Sequence, residues 1–457
     1  MLAPRNRLLL LVAVVALPCA LLAAAEPAAG AFSAAAMAAL AALAVADAVT
    51  ARRALAGIGV ELPEVSRMSR EREAKLELKI RNERQHARQL RIGLPLPREI
   101  DSDQEDTWVA LPGGSEWSRF DWLCRPRERG VYRLASVQVE VGSRLGFWGA
   151  RASLPVRSEI RVYPNLFSER RELAALFLHR GSFGLHAQRQ VGKGREFEQL
   201  RDYVPGDGYD EIHWKATAKR GRPVTKVFQI ERTQEVYVVI DASRLSARSV
   251  ANAKAQIAGR DDSRAGTKPT TTLERYITSA LVLGLAAEQQ GDLFGLLAFT
   301  DKVEHFIRAK NGKMHYSACR DALYAMQPRV VTPDFDEVCS FIRLRLRRRA
   351  LLLFLTALDD SVLAESFVRN MDLIRRQHLV LVNMLQPPNV APLFSSPDLE
   401  SVDELYGHLG GHLLWQNLRE LEKVLQHRGV RFSLLKNELL SAELVSQYLN
   451  IKKRQLL

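Results

Sequence analysis

The sequence predicts three architectures in series: a transmembrane helical hairpin, an all-β sandwich, and an α/β doubly wound domain. Three observations carry this reading. Two apolar stretches, 8–25 and 31–49, stand near the start of the chain. Residues 60–165 then alternate polar and apolar at a period of two, between Gly and Pro turns. From 236 onward, short continuous apolar runs alternate with stretches of helical periodicity. The boundaries are 1–55 for the hairpin, 60–165 for the sandwich, 166–232 for a linking segment and 233–457 for the α/β domain.

The first apolar stretch, Leu8 to Ala25, is near the length that spans a bilayer, with Pro18 inside it. The second is Ala-rich, which makes it the weaker by composition. Asp47 lies near its end, where a charge reaches the interface at small cost. Arg5 and Arg7 precede the pair and Arg52 and Arg53 follow it, so the positive-inside rule puts both ends in the cytoplasm. The expected location is the bacterial inner membrane, with the bulk of the chain cytoplasmic. The alternative is a signal peptide cleaved after Ala23-Ala24-Ala25. Four cysteines without a C-x-x-C pair exclude a disulfide framework.

In the sandwich, Lys75–Arg81 and Val137–Val141 alternate as half-exposed strands do. Turns fall at Leu111–Gly114, Glu128–Gly130 and Arg144–Gly146. Trp108, Trp117, Trp122 and Trp148 read as core or edge packing.

The linking segment carries the most distinctive wording: Gly194-Arg195-Glu196-Phe197-Glu198-Gln199-Leu200-Arg201-Asp202-Tyr203-Val204-Pro205-Gly206-Asp207, then Ile212-His213-Trp214-Lys215. Pro205-Gly206-Asp207 predicts a tight turn, and Asp207 a cap for a short helix bearing Ile212 and Trp214. Glu196, Asp202, Asp207 and His213 invite an acid-base or metal reading. The simpler one pairs them with Arg195, Arg201 and Lys215, since no nucleophile, base and orienter are spaced as a set. Lys219, Arg220 and Arg222 precede a strand over 224–230.

In the α/β domain, expected strands are 236–240, 293–299, 351–355, 379–385 and 430–435. Expected helices are 273–290, 316–326, 335–346, 362–376 and 402–427, followed by a closing helix. The polar stretch 249–272 reads as a mobile insertion. Ligands of such sheets bind at the carboxyl ends of the strands. There the first strand ends in Asp241-Ala242-Ser243, and another in Leu355-Thr356-Ala357 before Asp359 and Asp360.

The phrase from Gly194 to Trp214 resembles the signature of the bacterial domain of unknown function 58 family. Pro126-Arg127-Glu128-Arg129-Gly130-Val131-Tyr132 is similar to its P-x-x-R-G-x-Y turn, and Val162-Tyr163-Pro164 to its V-Y-P strand. Asp210 and Lys219 stand where that pattern usually has Arg. The resemblance implies a von Willebrand factor A-like carboxy-terminal domain and a protein partner, a MoxR-type AAA+ ATPase. Against the D-x-S-x-S metal site of such domains, Asp241 and Ser243 match, but Leu245 offers no oxygen and Ser246 comes one place late. Ala357 replaces the acid of a T-D pair, for which Asp359 and Asp360 are substitutes. No Thr stands near Lys310–His315 as a third ligand. Metal candidates are therefore Asp241 and Ser243 alone, within a degenerate binding face of Asp241, Ser243, Thr356 and Asp359. No cofactor is expected; the alternative is weak Mg2+ binding.

Net charge is +13 and pI about 9.7. No nucleic-acid motif accompanies that charge, so no nucleic acid is expected as partner. GxSxG, HExxH and P-loop motifs are absent. The expected function is a membrane-anchored binding or scaffold protein, not an enzyme. The alternatives are a metal-dependent hydrolase using Asp241, His213 or Glu196, and an electrostatic binder of anionic lipid or nucleic acid.

Overall fold

The computed structural model describes residues 1–25, 30–167, 169, 171, 191–205, 208–209, 212–229, 234–250, 270–388, 390–393 and 402–454. The chain divides into two compact units, Met1–Asn165 and Leu166–Leu457.

The first unit opens with β1 (Leu2–Pro4), α1 (Asn6–Ala25) and α2 (Gly30–Arg52). α2 is long and apolar enough to cross a membrane; in α1 the apolar stretch is shorter, Asn6–Leu22. The Ala-rich segment is thus the longer helix, because Ala propagates a helix well even where it favours insertion weakly. Asp47 near the end of α2 is buried. Its carboxylate accepts from the Ser143 hydroxyl and from the backbone N–H groups of Leu145 and Phe147, both at 3.2 Å. It therefore staples the helix to the 143–147 turn. Trp148 Nε1 adds a bond to the Ala44 carbonyl at 2.8 Å.

The sandwich follows as β2 (Ile58–Glu61), β3 (Val65–Ser69), β4 (Ala74–Asn82), β5 (Arg88–Gly93), β6 (Ile100–Asp101), β7 (Asp106–Leu111), β8 (Trp117–Pro126), β9 (Gly130–Gly142) and β10 (Trp148–Tyr163). One sheet runs β1-β10-β9-β5-β7, with β3 parallel to β10; the other runs β2-β4-β8-β6. Leu76, Leu78 and Ile80 of β4 and Leu90 and Ile92 of β5 are fully buried in the shared core, as the period-two pattern requires. Of the four tryptophans only Trp122 is core. Trp108 and Trp117 are exposed, with Arg81 over Trp117 and both Arg5 and Arg91 over Trp108.

The second unit begins with β11 (Val191–Asp202), α3 (Trp214–Arg220) and β12 (Val224–Gln229). The segment expected as a linker is therefore an antiparallel two-stranded ribbon, with Arg201 opposite Thr225. Then come β13 (Glu235–Asp241), α4 (Thr272–Gln289), β14 (Leu293–Phe299), β15 (Val303–Lys310), α5 (Lys313–Leu323), α6 (Phe335–Arg345), β16 (Leu351–Leu355), α7 (Ser361–Met371), β17 (Leu379–Leu385), α8 (Val402–His427), β18 (Arg431–Leu435) and α9 (Leu440–Arg454). The sheet order is β15-β14-β13-β16-β17-β18. All neighbours are parallel except the β14–β15 pair. Alternate residues of β13 enter two separate cores. Val236, Val238 and Ile240 pack with α4, α5 and α9; Tyr237 and Val239 pack with α6, α7 and α8. The sheet is therefore wound on both faces. Each fully buried Leu or Val contributes on the order of 2 kcal/mol to that arrangement. Gly295 is required where it stands: a Cβ there would lie 2.3 Å from Cε1 of Tyr237. Two expectations shift. The helix expected over 316–326 starts earlier, at Lys313, after the left-handed Gly312. The edge strand β15 is an element that the alternation of helix and buried strand did not predict.

Candidate functional site

After Glu235 at its amino end β13 carries no charged side chain until its last residue, Asp241, at the carboxyl edge of the sheet. Asp241 is fully buried. Its Oδ1 accepts from the Ser243 N–H at 2.9 Å, and its Oδ2 from the Thr356 hydroxyl at 2.6 Å. Burial pushes this carboxyl above its usual range, opposed by the bonds from Ser243 and Thr356. The Ser243 hydroxyl accepts from the Leu245 N–H at 3.4 Å and starts a short 3-10 turn, Arg244–Ala247. The Ser246 hydroxyl returns to the Ser243 carbonyl at 2.9 Å. Three of the four residues expected on this face therefore meet: Asp241, Ser243 and Thr356 form one closed network that ties β13 to β16.

Asp359 takes a different partner, an ion pair with Arg248, while its Oδ1 is buried without a hydrogen-bond partner among the described residues. Asp360 is the N-cap of α7, accepting from Val362 and Leu363 at 2.9 and 3.3 Å. It is therefore not a substitute for the missing acid. The search for a third ligand at Lys310–His315 is also corrected. Lys310 pairs with Phe294, at the amino end of β14, and the His315 ring bonds the Phe294 carbonyl at 2.7 Å. The segment beside the Asp241 loop is 329–334 instead. Arg329 N–H bonds the Ala242 carbonyl at 2.8 Å, and Arg244 N–H the Val331 carbonyl at 3.0 Å. The exposed Thr332 follows directly.

These residues do not fit a tight divalent-cation site. A hard cation wants six or more oxygens. Here both oxygens of Asp241 already accept protein hydrogen bonds, Leu245 is buried in the core, and Asp359 faces a guanidinium. Among the described residues no three His, Cys, Asp or Glu side chains group as metal ligands. Asn383, at the same edge on β17, escaped the sequence reading. It is fully buried and neither side-chain atom finds a partner among the described residues. Its signal was a lone amide within the apolar run 379–385.

The signature segment is built differently. Arg195 and Glu196 lie in β11, with Glu196 opposite Gln229; their side chains, and Gly206 and Asp207 altogether, fall outside the described residues. Pro205 is exposed in a turn. The cap of α3 is His213, not Asp207: its Nδ1 accepts from the Ala216 N–H at 3.0 Å. Ile212 precedes the helix, bridged to Thr225. Gly221, left-handed at φ 66°, closes α3 and turns the chain into β12. Asp202 pairs with Arg222 at 3.0 Å, while the Arg201 guanidinium bonds the Asp202 carbonyl at 3.2 Å. Tyr203 and Tyr209 stack with ring centroids 6.5 Å apart. α3 has no buried residue; Trp214 is 68% exposed and Tyr209 77%. The expected insertion over 249–272 is described only at its ends, where Ser249 bridges Thr271; residues 251–269 lie outside.

Residues 199–392 match the family model described as "Protein of unknown function DUF58". The match supports that family. The curated "Uncharacterized protein YeaD" of Bacillus subtilis (strain 168) is 27% identical over 118 residues, 25% of this chain. The chain spans 28% of that relative's length. Two solved Bacteroides structures are also similar. One, from Bacteroides fragilis NCTC 9343, is titled an aerotolerance-related membrane protein; it has 14% identity and a TM-score of 0.27, covering 48% of this chain and 98% of its own. The other, BatB from Bacteroides thetaiotaomicron, has 13% identity and a TM-score of 0.28, covering 48% and 99%. At those scores neither carries an argument about this chain.

Proposed function

We propose that this chain is a membrane-anchored protein-binding or scaffold protein, not an enzyme, and that it acts as the adaptor of a MoxR-type AAA+ ATPase. In this reading the α/β unit is von Willebrand factor A-like with a degenerate metal-dependent adhesion-type site. α1 and α2 anchor it in the inner membrane with its bulk in the cytoplasm. One observation supports the binding reading above others: the most distinctive residues of the chain are displayed rather than enclosed. Trp214 and Tyr209 are exposed beside Lys215, Lys219, Arg220 and Arg222. Aromatic side chains flanked by Arg are the composition of interface hot spots, and an exposed Trp without a partner is a costly surface otherwise. By contrast, Asp241, Ser243 and Thr356 at the sheet edge hydrogen-bond one another, which suits a structural role better than turnover.

The test is a pull-down of the tagged full-length protein from gently solubilised native membranes, with and without ATP, read by mass spectrometry. An AAA+ ATPase enriched only with nucleotide is the expected result. Its absence under both conditions would remove the adaptor reading.

A further inference from the structure

A second cluster of charge lies wholly within the amino-terminal unit. The start of α1, the end of α2, the turn between β4 and β5 and the turn after β9 line a cavity of about 1170 Å³. Eight arginines line it against a single carboxylate, Glu140. Glu140 is already shared: it accepts from Arg5 at 3.0 Å and from Arg151 at 2.9 Å. Arg91 turns to Asp106 at 2.6 Å. Arg84 and Arg88 donate to the carbonyls of Arg53 and Ala54, at 3.3 and 2.5 Å. Carbonyls orient a guanidinium but do not neutralise it. Among the described residues the ion pairs of this lining are those of Arg5, Arg91 and Arg151, so Arg84, Arg88 and Arg144 keep uncompensated charge. Burial, with Arg84 pushing the same way, holds the Arg88 guanidinium below its ordinary range. The cluster is therefore built for an anion.

Position says which one. The lining includes Arg5 and Arg7, where α1 begins, and Thr50, Arg53 and Ala54, where α2 ends. These residues border the apolar spans, where a bilayer's headgroups lie. The chain around the cavity is pinned by the Asp47 bonds to the 143–147 turn and by the β1–β10 pairing. Guanidinium pairs match phosphate oxygens in fork geometry. We infer that this cavity binds the phosphate of an anionic phospholipid headgroup, with Arg84, Arg88 and Arg144 as its ligands. The inference rests on the reading of α1 and α2 as a membrane hairpin.

The test uses full-length protein in neutral detergent, titrated with phosphatidylglycerol or phosphatidylcholine and read by native mass spectrometry. Phosphatidylglycerol is expected to be retained at least about tenfold better. Arg84→Gln with Arg144→Gln is expected to weaken that retention roughly fivefold for each charge removed, and the matching Lys variants to restore most of it. Arg343→Gln with Arg347→Gln, in the other unit, is expected to change nothing. Equal retention of both lipids, or retention unaffected by the Gln pair, would overturn the site. Displacement of phosphatidylglycerol by millimolar inorganic phosphate would also overturn it, assigning the cavity to a free anion. Alkaline carbonate extraction separates the two failures. Protein released from membranes would mean that the hairpin reading has failed and this inference with it; protein retained without lipid preference would mean that only the inference has failed.

Discussion

The carboxyl edge of the α/β sheet and the signature ribbon show opposite uses of polar chemistry. At the edge, Asp241, Ser243 and Thr356 carry the residue types that suggest a metal, and they are fully buried and bonded to one another. In the signature segment, where no nucleophile, base and orienter are spaced as a set, Trp214 and Tyr209 stand in solvent. A buried polar group must be satisfied or it destabilises the fold, so internal hydrogen bonding is the default fate of an acid placed there. An exposed aromatic has no such default. The difference teaches that candidate chemistry should be weighed by what its atoms are already bonded to.

Substitution at the edge gives the largest effect that could break this contrast. Asp241→Ala strands the Ser243 N–H and the Thr356 hydroxyl in the core. It is expected to cost about 2–6 kcal/mol in urea unfolding, from roughly 1–3 kcal/mol for each buried orphan. Adding Mg2+ to the unmodified protein is expected to leave the unfolding midpoint unmoved. A loss under 1 kcal/mol, or a midpoint raised by Mg2+, would show that the edge is a site.

The next effect concerns His378, which is buried just before β17, with neither ring nitrogen bonded among the described residues. Burial lowers its pKa from 6.5 to about 4. A histidine depressed on folding binds its proton more readily in the unfolded chain. Its contribution is therefore complete above about pH 6.5 and is lost as pH falls toward 4, on the order of 3 kcal/mol in all. His378→Leu is expected to flatten the stability profile across that window. An unchanged slope would mean that the ring is solvated.

The smallest expected effect on stability sharpens the comparison most. Trp214→Ala removes an exposed side chain from a helix with no buried residue and should stay within about 0.5 kcal/mol of the unmodified protein. A larger loss would place Trp214 in a packed environment.

Much of the fold was legible because buried parallel strands announce themselves. The runs at 236–240, 351–355 and 379–385 are continuous and apolar, and the strands formed there. What escaped depends on contacts distant in sequence or on local competition. β15 reads Val-Glu-His-Phe-Ile-Arg-Ala-Lys, an edge strand whose apolar face is too sparse to stand out. β12 formed where a strand was expected over 224–230, but its partner β11 was missed: the two pair across about twenty intervening residues, and charged residues hide the alternation of β11. The cap of α3 went to His213 because Ile212 is held back by its bridge to Thr225, which starts the helix late. The sheet-edge pair Asp241 and Ser243 was visible in the sequence, but the bond from Thr356 that closes the network joins residues 115 apart. The loop beside that network, 329–334, was sought one element too early, before α5 rather than after it.

The most direct measurement of the central claim repeats the nucleotide-dependent pull-down with two variants of the full-length protein, Trp214→Ala and Asp241→Asn, each checked for an unfolding midpoint that shows a folded chain. The account predicts that Trp214→Ala loses the captured ATPase and Asp241→Asn keeps it. Capture that survives Trp214→Ala and is lost with a folded Asp241→Asn protein would contradict it, and would move binding to the sheet edge.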